Sequence, residues 1–142
     1  MATGTAQVSP PARQDPRQVL NTLKKTINWN DAGVTNAGVQ SNVNFDNSLP
    51  RGAFITNVLV EIVTAFDGGA ALTVGTVAAG YNNIVAAADV AEGVAGVYQA
   101  TRAYGRSLAS AADITPVVTI TQNGATAGQA IILITYEGGF SS

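Results

Sequence analysis

Side chains able to do chemistry at neutral pH are scarce in this sequence: nine carboxylates, seven basic residues, and no histidine or cysteine among 142 residues. Without an imidazole or a thiol there is no Ser-His-Asp or Cys-His nucleophile, and structural zinc with its usual nitrogen and sulfur ligands is ruled out. A phosphate-cradling Gly-x-x-x-x-Gly-Lys loop is missing, since neither Lys24 nor Lys25 has the required preceding glycine. Two carboxylates at a defined separation are enough for glycoside hydrolysis, so each acid has to be placed. Asp31, Asp46, Asp67, Asp89 and Asp113 fall mostly in predicted turns or caps, where an aspartate accepts hydrogen bonds from nearby backbone amides. Glu61 and Glu137 fall inside predicted strands; a half-buried carboxylate there is a catalytic acid or half of an ion pair, and the ion pair is the expectation. The Asp67-Gly-Gly69 turn lacks the repeated aspartates of a calcium loop. The expectation is a chain that is not an enzyme, with no catalytic residue, cofactor or metal.

What the composition favours instead is contact. Charged residues make up 11% of the chain against about 25% in ordinary soluble domains, beside 46% apolar residues and 15 glycines, so much of the exterior expects protein rather than water. The length fits one domain large enough to bury a core without disulfides. A net charge of −2 does not point to nucleic acid. The charge is segregated, however: residues 1–25 hold Arg13, Arg17, Lys24 and Lys25 against Asp15, a local +3, whereas residues 26–142 sum to −5. The opening residues lack the basic-then-apolar order of a signal peptide, and no apolar run approaches the roughly 18 residues of a membrane span.

The elements that must position these residues read as strands. Residues 1–17, with Pro10, Pro11 and Pro16 among small polar neighbours, form an extended or disordered N-terminal arm. Residues 18–142 form a single domain. Its first strand is expected over 18–29, with Leu23, Lys25, Ile27 and Trp29 on one face, although the spacing of Val19, Leu23 and Ile27 would also suit a short helix, and its second strand over 39–45. Ser48-Leu-Pro-Arg-Gly52 is a turn. The long strand 53–66 follows, placing Phe54, Val58, Val60, Ile62 and Phe66 on one face and a partly wet mixture of Ile55, Asn57, Leu59, Glu61 and Val63 on the other. Asp67-Gly-Gly69 has the chemistry of a hairpin into a short strand at 72–76. Residues 82–91, with an Asn cap and a run of three alanines at 86–88, suit a short helix or helical turn. Three more strands are expected at about 94–104, 114–122 and 128–137, the last two joined around Asn123-Gly124. This pattern, without long helical crossovers, predicts an all-β fold: an antiparallel β-sandwich or jelly roll with one short helix.

For partner contact the candidate anchors are Arg102, Tyr104 and Arg106, which alternation places on one face, and the basic residues Arg13, Arg17, Lys24 and Lys25. Trp29 is the best single aromatic anchor, with the core margin as its expected place. The proline-containing arm, the Ser48-Leu-Pro-Arg-Gly52 turn into a long apolar strand, Ala65-Phe-Asp-Gly-Gly69 and the short Leu72-Thr-Val-Gly-Thr76 strand together resemble head decoration, or cement, proteins of tailed bacteriophages, of the jelly-roll type. The resemblance covers about residues 18–138 and carries no diagnostic motif. It implies a homodimer or homotrimer on the outer surface of an icosahedral capsid, bound to the major capsid protein and bridging capsomers. It implies no catalytic residues, no direct nucleic-acid contact and no membrane. The alternative is a receptor- or glycan-binding module of a phage tail or adhesin, which would need a loop-clustered polar and aromatic pocket; one Trp, four Tyr and four Phe provide no evident platform.

Overall fold

The computed structural model describes residues 20–101 and 112–138. Its seven strands are β1 (Leu20–Asn28), β2 (Ser41–Asn44), β3 (Ala53–Thr64), β4 (Ala71–Gly75), β5 (Gly96–Gln99), β6 (Val117–Thr121) and β7 (Gln129–Gly138). They form a four-stranded sheet in the order β1-β7-β3-β5 and a three-stranded sheet in the order β2-β6-β4, with every pair antiparallel. Consecutive strands always lie in opposite sheets, so no two neighbours in sequence form a hairpin. This is a jelly-roll sandwich. The bridge between Val74 and Val85 extends the smaller sheet beyond β4.

Alternation builds the core between the sheets. Leu23, Ile27, Val58, Val60, Ile62, Ile132 and Ile134 point inward from the larger sheet and meet Leu72, Val74, Val118 and Ile120 from the smaller one. Phe45, Leu49, Phe66, Ile84 and Val85 close the ends. These are mainly β-branched and aromatic side chains, which pack a pleated surface well.

Several expectations need correction. Strand β3 does not hold one face throughout: its pairing with β7 shifts between Ile55 and Asn57, and the extra residue reverses the alternation. Ile55 is therefore buried at 1% exposure, while Phe54, expected inside, is 51% exposed. The Asp67-Gly-Gly69 and Asn123-Gly124 turns carry the chain between sheets instead of closing hairpins. The expected helix over 82–91 is reduced to a single 3-10 turn, Ala87–Asp89. Ile84 and Val85 donate backbone hydrogen bonds to the Val74 carbonyl at 3.0 and 2.9 Å, so sheet pairing overrides alanine's helix propensity. Strand β6 starts at Val117, after Pro116, which has no N–H for a ladder; Ile114 before it pairs only with Leu49.

Candidate functional site

The two outer faces of the sandwich differ in chemistry. On the smaller sheet the outward positions are mostly polar, with Asn42 and Asn44 of β2, Thr73 of β4 and Thr121 and the buried Thr119 of β6 beside Ala71, Gly75 and the buried Val117. Thr73 and Thr119 are joined by a hydroxyl–hydroxyl hydrogen bond. On the larger sheet, Leu59, Ile131, Leu133 and Val97 form an apolar strip across β3, β7 and β5 and line a shallow depression of about 310 Å³, with Lys24 at its margin and the exposed Glu61 within it. The register explains the grouping: Leu133 stands between Lys24 and Leu59, while Glu61 stands between Ile131 and Val97. Val97 is 64% exposed, and Val63 and the bulge-exposed Phe54 extend the strip along β3. An apolar row on the outside of a sheet is a candidate contact surface.

The sequence-predicted contact residues are dispersed. Lys24 and Lys25 are adjacent on β1 and so face opposite sides: Lys24 borders the apolar strip, whereas Lys25 turns toward Asp46 and pairs with it at 3.1 Å. Trp29 is half-buried and packs against the core. It lies just beyond β1, next to a separate polar cleft at the end of the sandwich lined by Asn28, Trp29, Asn30, Thr64, Thr126, Ala127, Gly128 and Gln129. Arg13, Arg17, Arg102, Tyr104 and Arg106 lie outside the described residues, as does the arm 1–17.

The acids behave as scaffolding. Asp31 accepts from the Asn28 N–H at 2.8 Å, Asp89 from the Ala86 N–H at 2.9 Å, and Asp113 from the Arg51 N–H at 2.8 Å. Asp67 reaches across 59 residues to accept from the Thr126 N–H at 2.7 Å and from the Thr126 hydroxyl, and it also accepts from the Ala127 N–H at 3.1 Å. The Thr126 hydroxyl and amide bonds hold its pKa below the ordinary aspartate value. Glu61 and Glu137 are exposed and form no ion pair among the described residues, contrary to expectation. No group of three or more acids is arranged to hold a metal among the described residues.

Sequence reasoning missed Glu92. Its side chain is 9% exposed, its Oε1 accepts the Leu72 N–H at 2.6 Å at the start of β4, and its backbone carbonyl accepts the Phe66 N–H at 2.9 Å. Burial raises its pKa above the ordinary glutamate value. The Ala/Gly-rich context of Glu92 contains no local signal of this role, which arises when two loops meet. The outward apolar strip was legible in part: the run Ala130-Ile-Ile-Leu-Ile134 is apolar at every position and so marks a strand with two dry faces.

No family model matches the chain, and no curated protein matches it. Among solved structures, a chain of "Cyanophage Pam1 capsid asymmetric unit" is similar, with a TM-score of 0.63 at 19% identity, covering 96% of this chain and 97% of that one. At this identity the likeness is one of fold, and it extends over nearly the full length of both chains.

Proposed function

We propose that this protein is a structural component of a bacteriophage virion that binds the outer surface of the icosahedral capsid, bridges capsomers and stabilises the shell. The observation that carries this reading is the apolar strip of Leu59, Ile131, Leu133 and Val97 on an otherwise solvent-facing sheet. Its fold likeness to a chain from a capsid structure supplies the biological setting. A sandwich with buried aliphatic layers is a stiff body with no need to move, and a shell protein present in many copies needs little affinity per contact. Bridging two capsomers raises the effective concentration of the second contact, so modest surfaces suffice. In this reading Lys24 lies on the polar rim of the contact, Glu61 is a charged group inside it for a basic or hydrogen-bonding partner residue, and Arg13, Arg17, Arg102, Tyr104 and Arg106 are additional contact residues toward the major capsid protein or sister copies.

Cosedimentation of the purified protein with mature heads stripped of accessory proteins tests the proposal. Saturable binding at a fixed ratio to the major capsid subunit is expected, weakened in a chain lacking residues 1–17. Absence of binding to heads would remove the capsid role.

A further inference from the structure

The polar cleft beside Trp29 is separate from the apolar strip and has different chemistry. It is built on the last rung of the larger sheet, where Asn28 of β1, Gln129 of β7 and Thr64 of β3 lie side by side in register. The turn carrying Trp29 and Asn30 forms one wall, and the loop Thr126-Ala-Gly128 forms the other. The two walls are tied by the Trp29 N–H, which donates to the Gly128 carbonyl at 3.0 Å.

Both walls are held from behind. Asp31 accepts from the Asn28 backbone N–H and, at 3.3 Å, from its side-chain amide. Asp67 clamps Thr126 and Ala127. The buried Gln122 donates through Nε2 to the Trp29 carbonyl at 2.7 Å. Gly128 lies so close to the Phe66 ring that a Cβ there would meet it at 2.1 Å, so the loop is packed directly onto the core. A cleft held this way pays little ordering entropy when a ligand binds.

The carboxylates near the cleft are engaged in holding its loops, and among the described residues its lining contains no Lys, Arg, Asp or Glu. What lines it is neutral: three amide side chains, two threonines and an indole. The Gln129 amide donates to Asn28 Oδ1 at 3.0 Å, which directs its own carbonyl oxygen elsewhere. Among the described residues the Asn30 amide, the Thr64 hydroxyl and the Trp29 indole N–H have no hydrogen-bond partner. Neutral donors and acceptors beside an indole suit a ligand that alternates hydroxyl groups with C–H surface. An anionic ligand would find no countercharge in the lining. The cleft volume of about 290 Å³, near the lower end of ligand pockets, matches one or two sugar rings.

We infer that this cleft is a binding site for a neutral saccharide, which would give the protein a carbohydrate-binding activity independent of its contact with a capsid. The chain's single tryptophan stands in the cleft wall, so its emission reports on this site alone. The test is a glycan array probed with the full chain, followed by tryptophan fluorescence titration with the neutral oligosaccharides that bind and with a sialylated and a sulfated control. Binding of at least one neutral saccharide is expected, with a saturable emission change. In Asn30→Ala, Thr64→Ala and Gln129→Ala variants, whose side chains do not pack in the core, affinity should fall by about tenfold or more for at least one. Circular dichroism and head cosedimentation should be unchanged in those variants. Failure of every neutral saccharide, binding confined to the charged glycans, or binding that leaves tryptophan emission and all three variants unaffected would each overturn the assignment. Head binding is read in a separate assay, so loss of one result leaves the other standing.

Discussion

At the scale of single residues, the carboxylates show how chemically scarce groups are used in this fold. Asp31, Asp67, Asp89 and Asp113 accept backbone amides, as their turn positions suggest, and Asp46 pairs with Lys25. The bonds of Asp67 span a sequence distance that no local pattern announces. Its lowered pKa means that the clamp is intact above the ordinary aspartate value and is lost as pH falls through the lower folded value. Asp67→Ala is expected to speed hydrogen exchange at the Thr126 and Ala127 amides at neutral pH, while amides of β7 stay protected. Glu92 has the opposite sign. Its pKa is raised by burial, so its contribution to stability is fully present below the ordinary glutamate value and is lost as pH rises through the folded one. Glu92→Gln keeps an acceptor for the Leu72 N–H and removes the buried charge. Its thermal midpoint is expected to exceed that of the unaltered chain near pH 7, with the difference closing near pH 4. Glu92→Ala leaves that N–H without its partner and is expected to cost about 1–3 kcal/mol.

At the scale of elements, strand existence was legible because Val39, Val43 and Phe45 fall on alternate positions and 53–66 is rich in β-branched and aromatic residues, but the faces were not fully legible. A bulge is set by how β3 meets β7, and one extra residue near Thr56 turns Phe54 out and Ile55 in. The turn dipeptides were recognised as turns, but their destination depends on which sheet receives the next strand, and after Asp67-Gly-Gly69 and Asn123-Gly124 that is the other one. The helical reading of 82–91 survives only as the 3-10 turn Ala87–Asp89 for a related reason: local propensity is worth tenths of a kcal/mol per residue, and pairing with Val74 satisfies buried backbone groups of Ile84 and Val85. Tight loop-to-core contacts are equally invisible in sequence. Gly128 has φ of 148° and sits against the Phe66 ring, so Gly128→Ala is expected to destabilise the fold by on the order of 1–3 kcal/mol or more. Urea denaturation would measure this as a lower midpoint with an unchanged slope.

At the scale of the whole molecule, the outer side of the larger sheet carries an apolar strip among polar residues, whereas the outer side of the smaller sheet is mostly Asn and Thr. The low charge density of the sequence led to the expectation that some exterior would meet protein, and the surface proposed for it is the apolar strip on β3, β5 and β7. The predicted anchors were less well placed. Basic and aromatic side chains were singled out by residue type, yet Lys25 is committed to Asp46 and Trp29 borders a different, polar cleft. The contact strip consists of aliphatic residues whose outward direction follows from strand register, and residue type alone does not reveal it. Leu59 and Leu133 are only half-buried, so replacing each with serine should cost about 1 kcal/mol or less in stability while removing the centre of the strip. The most direct measurement is therefore the binding isotherm of the Leu59→Ser/Leu133→Ser variant on stripped phage heads beside that of the unaltered chain. A folded variant whose affinity drops by at least about tenfold, or ~1.4 kcal/mol, with an unchanged unaltered-chain stoichiometry, is the expected result. Equal binding by a folded variant, or no binding by either chain, would contradict a capsid contact through this face.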